Sequence, residues 1–213
     1  MILAYLAGSI NFAILISRWA RGIDIRTVGN RNPGTSNVGR MVGKVWAGLV
    51  FTGDLAKGLV PLILAKALFF QEDNYTDYFP LFLTGMTAIA GHCWPLFHGF
   101  KGGGGLATSI GIYLFFIPAE FFIALFVSFL VVLLFFRNTK YSFGQIIPMF
   151  FVFLASVLVI ISSTFFVEKH LFYSISIGGH PWYVITGIIA LSLYLLIINI
   201  KIVLRRLSKE KPV

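Results

Sequence analysis

The chain has one cysteine, Cys93, among 213 residues, and only 12% of its side chains are charged. A lone thiol excludes an intramolecular disulfide framework and any multi-cysteine metal cluster. The shortage of charge places the chain outside the ordinary range of soluble globular domains. Acidic groups are the scarcer kind, 8 against 17 lysines and arginines, which leaves a formal net charge of +9. In a soluble domain that excess would point to nucleic acid. Here it reads as basic loops on the cytoplasmic side of a bilayer, and no nucleic-acid partner is expected.

What fills the chain instead is apolar, 58% of the residues with 16% aromatic, at a mean hydropathy of +0.88. Stretches without charge run over 1–17, 78–100, 102–119, 121–136, 141–167 and 171–200. A helix needs ~20 mostly apolar residues to cross ~30 Å of hydrocarbon, so most of these can span. Polar and Gly/Pro-rich breaks predict seven helices near 2–18, 45–69, 79–98, 105–118, 120–136, 143–167 and 182–204. No basic residue precedes the first apolar stretch, so it is expected to stay as a first span or signal anchor and not to be cleaved as a leader.

An outside N-terminus puts Arg18, Arg21, Arg26, Arg31, Arg40 and Lys44 inside, followed by Lys101, by Arg137 and Lys140, and by Arg205, Arg206, Lys209 and Lys211. The outer connections then hold Glu72, Asp73, Asp77, Glu120, Glu168 and one lysine, Lys169. The positive-inside rule selects this orientation over its mirror image. No linker, repeat or low-complexity tract divides the sequence. Residues 1–213 therefore read as a single all-α, polytopic domain with about seven transmembrane helices, N-terminus outside and C-terminus cytoplasmic, in the cell (inner) membrane.

Two cytoplasmic connections carry chemistry. One runs from Val28 to Arg40 through Asn30, Arg31, Asn32, Pro33, Gly34, Thr35, Ser36 and Asn37; the other runs from Gly99 to Ser109 through Lys101 and the glycines Gly102, Gly103, Gly104 and Gly105. Consecutive glycines let a backbone present N–H groups as an anion-binding nest, and a helix N-terminus directly after them adds further donors. Lys101, Arg31 and Arg40 supply charge, and Asn32, Thr35, Ser36 and Asn37 supply short hydrogen-bonding side chains. A glycine run alone equally suits close packing of membrane helices, and basic residues alone suit topology or lipid headgroups. Their coincidence on one face favours a phosphate site.

Asp54 and Lys57, at i, i+3, lie about 15 Å into the second helix at ~1.5 Å per residue. They form either a structural ion pair or part of a working site. His92 and His98 fall near the cytoplasmic end of the third helix, whereas His170 and His180 fall on the opposite face.

These passages resemble the bacterial acyl-phosphate:glycerol-3-phosphate acyltransferase family, the PlsY type, over essentially the whole chain. Gly8-Ser9 with Gly29 to Arg40 resembles its first region, and Asp54-x-x-Lys57-Gly58 with Pro61 its second-helix pattern. Gly91-His92-x-x-Pro95-x-Phe97-x-Gly99-Phe100-Lys101-Gly102-Gly103-Gly104-Gly105-x-Ala107-Thr108 resembles its G-H-x-x-P-x-F-x-G-F-K-G-G-K-G-x-A-T passage, and Asn199-Ile200 its final motif. The resemblance implies seven helices and transfer of a fatty acyl group from acyl phosphate to the 1-hydroxyl of glycerol-3-phosphate, giving lysophosphatidic acid for phospholipid biosynthesis without coenzyme A.

On that resemblance Asn32, Ser36, Asn37, Arg40, Lys101, Gly102, Gly103 and Gly104 are the expected substrate-binding residues, and Asn199 a catalytic one. No metal or cofactor is implied, and the expected partners are the two substrates and membrane lipids. Four departures from the pattern bear on phosphate binding and proton transfer: Asn30 replaces a serine, Gly104 a lysine, Leu196 a histidine and Ile202 an arginine. Ser36 stands where the family has threonine. Leucine cannot accept a proton, so His98, whose imidazole titrates near operating pH, is the candidate general base. A non-catalytic relative that binds or delivers a lipid phosphate is the alternative.

Overall fold

The computed structural model describes residues 1–69, 78–135, 147–165, 169–172, 175–177 and 182–207. Outside them lie the connections with Glu72, Asp73 and Asp77, with Arg137 and Lys140, and with Glu168; so do His180, Lys209 and Lys211, and the predicted start of the sixth helix at 143. The chain forms two compact units, Met1–Phe115 and Phe116–Val213.

In the first unit the predicted first helix is two helices, α1 (Ile2–Ser9) and α2 (Phe12–Arg21). Asn11 caps α2, its Oδ1 accepting the Ile14 N–H at 3.1 Å, while Ile10 turns extended. A break inside hydrocarbon strands a carbonyl unless another group reaches it. Lys57, on α4 (Lys44–Phe69), does so, donating from Nζ to Ile10 O at 2.9 Å. Arg18 and Arg21 close the last turn of α2, where the helix dipole favours positive charge.

The predicted loop 28–40 contains a short helix, α3 (Thr35–Met41), entered from Pro33-Gly34. The third predicted helix is shorter than expected. Helix α5 covers Tyr78–Cys93 and stops because Pro95 has no N–H to give and disfavours helical backbone in the residue before it. A single 3₁₀ turn, Leu96–His98, follows before α6 (Leu106–Phe116). His92 therefore belongs to a helix and His98 does not.

The helices of this unit approach each other through glycines placed reciprocally. A Cβ at Gly8 of α1 would overlap Ala88 O of α5, and one at Gly91 of α5 would overlap Tyr5 O of α1. The same relation joins Gly58 of α4 to Thr108 O of α6 and Gly111 of α6 to Leu55 O of α4. Without a hydrophobic drive between helices in lipid, such backbone proximity is what supplies contact energy.

The second unit holds α7 (Pro118–Phe135), α8 (Ile147–Phe165) and α9 (Trp182–Leu207). It also holds a small antiparallel pair, β1 (Lys169–Phe172) with β2 (Ile175–Ile177), which an all-α reading did not contain. Phe121 of α7 meets Phe151 of α8 edge to face, and Ser156 of α8 donates to Ser192 of α9 at 2.7 Å.

Helices thus occupy all seven predicted stretches. Among the described residues four segments are long and apolar enough to cross a membrane: Ile2–Arg21, Lys44–Phe69, Pro118–Phe135 and Trp182–Ile200.

The glycine crossings predict a packing phenotype. Gly58→Leu forces a side chain against the Thr108 carbonyl, and overpacking of this kind costs about 1–3 kcal/mol or more. Its melting temperature in detergent falls below that of wild type. An unchanged melt would mean that α4 and α6 do not approach this closely.

Candidate functional site

The first loop is closed by its own polar side chains. Asn37, fully buried at the start of α3, accepts the Asn30 N–H on Oδ1 at 3.1 Å and donates from Nδ2 to Ile25 O and Val28 O, each at 3.1 Å. Both ends of its amide are occupied in shaping the loop, so Asn37 positions other groups instead of offering itself as a donor. Asn30 accepts the Asn32 N–H on Oδ1 at 3.0 Å, an Asx turn of the kind serine makes more weakly. The exchange of serine for asparagine at this position thus suits the fold of the loop. Arg31 and Phe100 are the non-glycine residues at positive φ among those described, at 61° and 58°. Such backbone strain costs roughly 1–3 kcal/mol and is concentrated at functional sites.

In the second loop the glycines do not form the nest their sequence suggests. Gly102 N–H donates to Cys93 O and Gly103 N–H to His92 O, both at 3.1 Å. These two amides are spent on holding the loop against the end of α5. Gly105, with φ 77°, instead starts α6: its carbonyl accepts the Ser109 N–H at 2.9 Å, which leaves the first-turn amides after it pointing out of the helix end. Gly103, Gly104 and Gly105 are buried, while Lys101, Arg40 and Ser36 are exposed and Asn32 is half-buried.

Two contacts bring the loops together. A Cβ on Gly103 would lie 2.9 Å from Pro33 O, so the glycine loop lies against the first loop beside Asn32. Arg26 Nη1 donates to His98 O at 3.0 Å, binding the first loop to the 3₁₀ turn. Arg26 is itself held by Asp24, through Nε to Oδ1 at 3.0 Å and Nη2 to Oδ2 at 2.7 Å, and Arg18 joins at 2.9 Å. The second-helix pair also enters the site from behind. Lys57 Nζ lies 2.7 Å from Asp54 Oδ1, and His92 Nδ1 lies 3.6 Å from the same oxygen. Gly8-Ser9 belongs to the same support: Ser9 Oγ accepts the Leu96 N–H at 3.3 Å, and Tyr5 donates to Trp94 O at 2.8 Å.

Asn199 lies on α9 in the second unit, where Nδ2 donates to Leu195 O at 2.8 Å. Leu196 is its neighbour on the same helix. Among the described residues no three His, Cys, Asp or Glu side chains gather to hold a metal ion. Sequence reading missed Asp24 and Arg26, which carry no motif. The only trace is the spacing Arg18, Asp24, Arg26, an acid between two bases.

Electrostatics follow from these contacts. The Arg26 hydrogen bond holds the Asp24 carboxyl well below the usual range, and Arg26 is raised in turn. Burial first, then the charges of Arg26 and Arg18, push the His98 imidazole below its ordinary 6.5. His98 is therefore neutral and able to accept a proton at neutral pH.

Asp24 binds fewer protons folded than unfolded. Its contribution to stability is complete above the free carboxyl value of 3.8 and is lost as pH falls toward the depressed folded value. Asp24→Asn should therefore lower the melting temperature relative to wild type at pH 6 to 7, with the difference shrinking below pH 3.8. A difference that grows on acidification would contradict the ion pair.

Comparison with known proteins gives the family and the fold. The profile of the Glycerol-3-phosphate acyltransferase family matches residues 1–208. A protein of Exiguobacterium sibiricum named glycerol-3-phosphate acyltransferase is 44% identical over 137 residues, 62% of this chain and 61% of its own length. A namesake from Azotobacter vinelandii is 44% identical over 115 residues, 53% of this chain and 57% of its own. The chain thus spans about three fifths of the curated relatives it matches. Crystal structures of PlsY, an integral membrane glycerol 3-phosphate acyltransferase, share the fold. The glycerol 3-phosphate form gives a TM-score of 0.73 at 29% identity, covering 99% of this chain and 92% of that one. The lysophosphatidic acid form gives 0.72 at 28%, covering 99% and 91%. The long apolar helices and this neighbour make the chain a multi-pass membrane protein. Because the profile runs almost from end to end and the fold is shared along nearly the whole length, the chain belongs to the Glycerol-3-phosphate acyltransferase family.

Proposed function

We propose that the protein transfers a fatty acyl group from acyl phosphate to the 1-hydroxyl of glycerol-3-phosphate, forming lysophosphatidic acid for phospholipid biosynthesis, from the cytoplasmic face of the inner membrane. The observation that carries the reading is the contact of Gly103 with Pro33, which puts two donor-rich loops side by side. An acyl phosphate is a mixed anhydride with a good leaving group. The enzyme mainly has to place two anions and remove one proton. Arg40 and Lys101, both exposed on these loops, supply charge for the phosphates. Asn32 and Ser36 supply neutral hydrogen bonds, and Gly102, Gly103 and Gly104 allow close backbone approach. His98 takes the hydroxyl proton as the alcohol oxygen attacks the acyl carbon and phosphate departs. On the family resemblance Asn199 of α9 is the other candidate catalytic residue.

The seven-span topology with an outside N-terminus and a cytoplasmic C-terminus rests on charge distribution. The sequence from 1 to 213 is taken as one catalytic domain, with acyl phosphate and glycerol-3-phosphate as partners and membrane lipids around it.

Purified protein in detergent, given acyl phosphate and radiolabelled glycerol-3-phosphate, should yield lysophosphatidic acid. Arg40→Ala and Lys101→Ala each remove a charge-assisted bond of about 1.5–3 kcal/mol, so KM for a phosphate substrate rises roughly 10- to 150-fold. Substrate binding without product in the wild type would select the non-catalytic, lipid-phosphate-binding reading suggested by Asn30, Gly104 and Leu196.

His98→Gln should lower turnover by roughly 10²-fold or more. Because the imidazole is held low, the acid limb of the wild-type pH profile lies below pH 6.5, and Arg26→Gln moves it upward. Retained turnover and an unmoved limb in His98→Gln would remove His98 as the base.

A further inference from the structure

In the helices of the first unit, three buried ionisable side chains are left over once phosphates and proton are accounted for. Asp54, Lys57 and His92 are 1%, 5% and 3% exposed. A buried ion pair is poor value as a source of stability, because desolvation offsets most of the attraction, and ionisable groups at membrane depth mark function by default.

Their contacts indicate which function. Lys57 binds Asp54 at 2.7 Å and the stranded carbonyl of Ile10 at 2.9 Å, which locks α4 to the break between α1 and α2. Asp54 faces the His92 ring, with Nδ1 at 3.6 Å. The other face of that ring is the important one. A Cβ on Gly103 would overlap His92 Nε2, and His92 O already accepts the Gly103 N–H at 3.1 Å. Next in sequence to Lys57, Gly58 packs on Thr108 O in the first turn of α6. The ion pair therefore orients an imidazole whose far edge is the floor of the glycine loop.

We infer that Asp54, Lys57 and His92 are positioning residues that set the height of the glycine loop and of the α6 terminus, and thereby the fit of the glycerol-3-phosphate phosphate. This rests on the proposed function for the identity of the anion. The three act from behind the loop and touch no substrate.

The test is a double-mutant cycle at the contact. His92→Asn keeps an amide near Asp54 but empties the space beneath Gly103. Gly103→Ala fills that space from above, and Gly103 is not among the glycines at positive φ, so alanine fits its backbone. Each single variant should lose on the order of 10- to 10²-fold in kcat/KM, mostly as a higher KM for glycerol-3-phosphate. In the double variant the methyl enters the vacated space, and affinity should exceed that of Gly103→Ala alone.

Glycerol-3-phosphate binding is measured by calorimetry beside turnover and melting temperature. Equal cost of Gly103→Ala in both backgrounds, or lower melting temperatures with unchanged KM, would overturn the inference. If His92→Asn yields no folded protein, Gly103→Ala alone decides, and an unchanged KM overturns it. A wild type that binds glycerol-3-phosphate with the same coupling yet forms no product would sink the transferase reading and leave this one standing. A wild type that neither binds nor turns over ends both.

Discussion

The need to satisfy every backbone carbonyl in hydrocarbon governs the first unit. A straight first helix would have met that need with its own hydrogen bonds. Instead the chain breaks at Ile10-Asn11, and two side chains make good the loss: Asn11 for an N–H of α2 and Lys57 for the Ile10 carbonyl. Lys57 then needs an anion, which Asp54 provides, and Asp54 draws in His92. One irregularity in a span thus fixes where α4 and α5 sit, and with them both loops.

The loops themselves spend most of their polar side chains on their own shape. Asn37, Asn30, Asp24 and Arg26 use their polar atoms on one another and on backbone. The polar side chains left exposed include Arg31, Ser36, Arg40 and Lys101. Rigid support of this kind reduces the ordering that a bound anion must otherwise impose.

Much of this was legible in the sequence because it is local. Apolar runs locate the helices, and the glycine run followed by an apolar stretch locates the α6 terminus. Two local signals were present and went unread: Asn11 as a helix cap and Pro95 as a stop, which together would have broken the first helix and shortened the third. The Arg26 bond to His98, the seat of Gly103 on His92 and the reciprocal glycines join residues dozens of positions apart, and no periodicity encodes them. Asn37 misleads for a different reason. An asparagine in a polar loop looks the same in sequence whether its amide faces a ligand or its own backbone.

The position of the loops along the chain has a consequence for synthesis. Every residue that shapes or lines them lies before Phe115, within the first compact unit. Domains generally fold in the order in which they leave the ribosome. The unit that carries both loops can therefore be complete while α7, α8 and α9 are still being made.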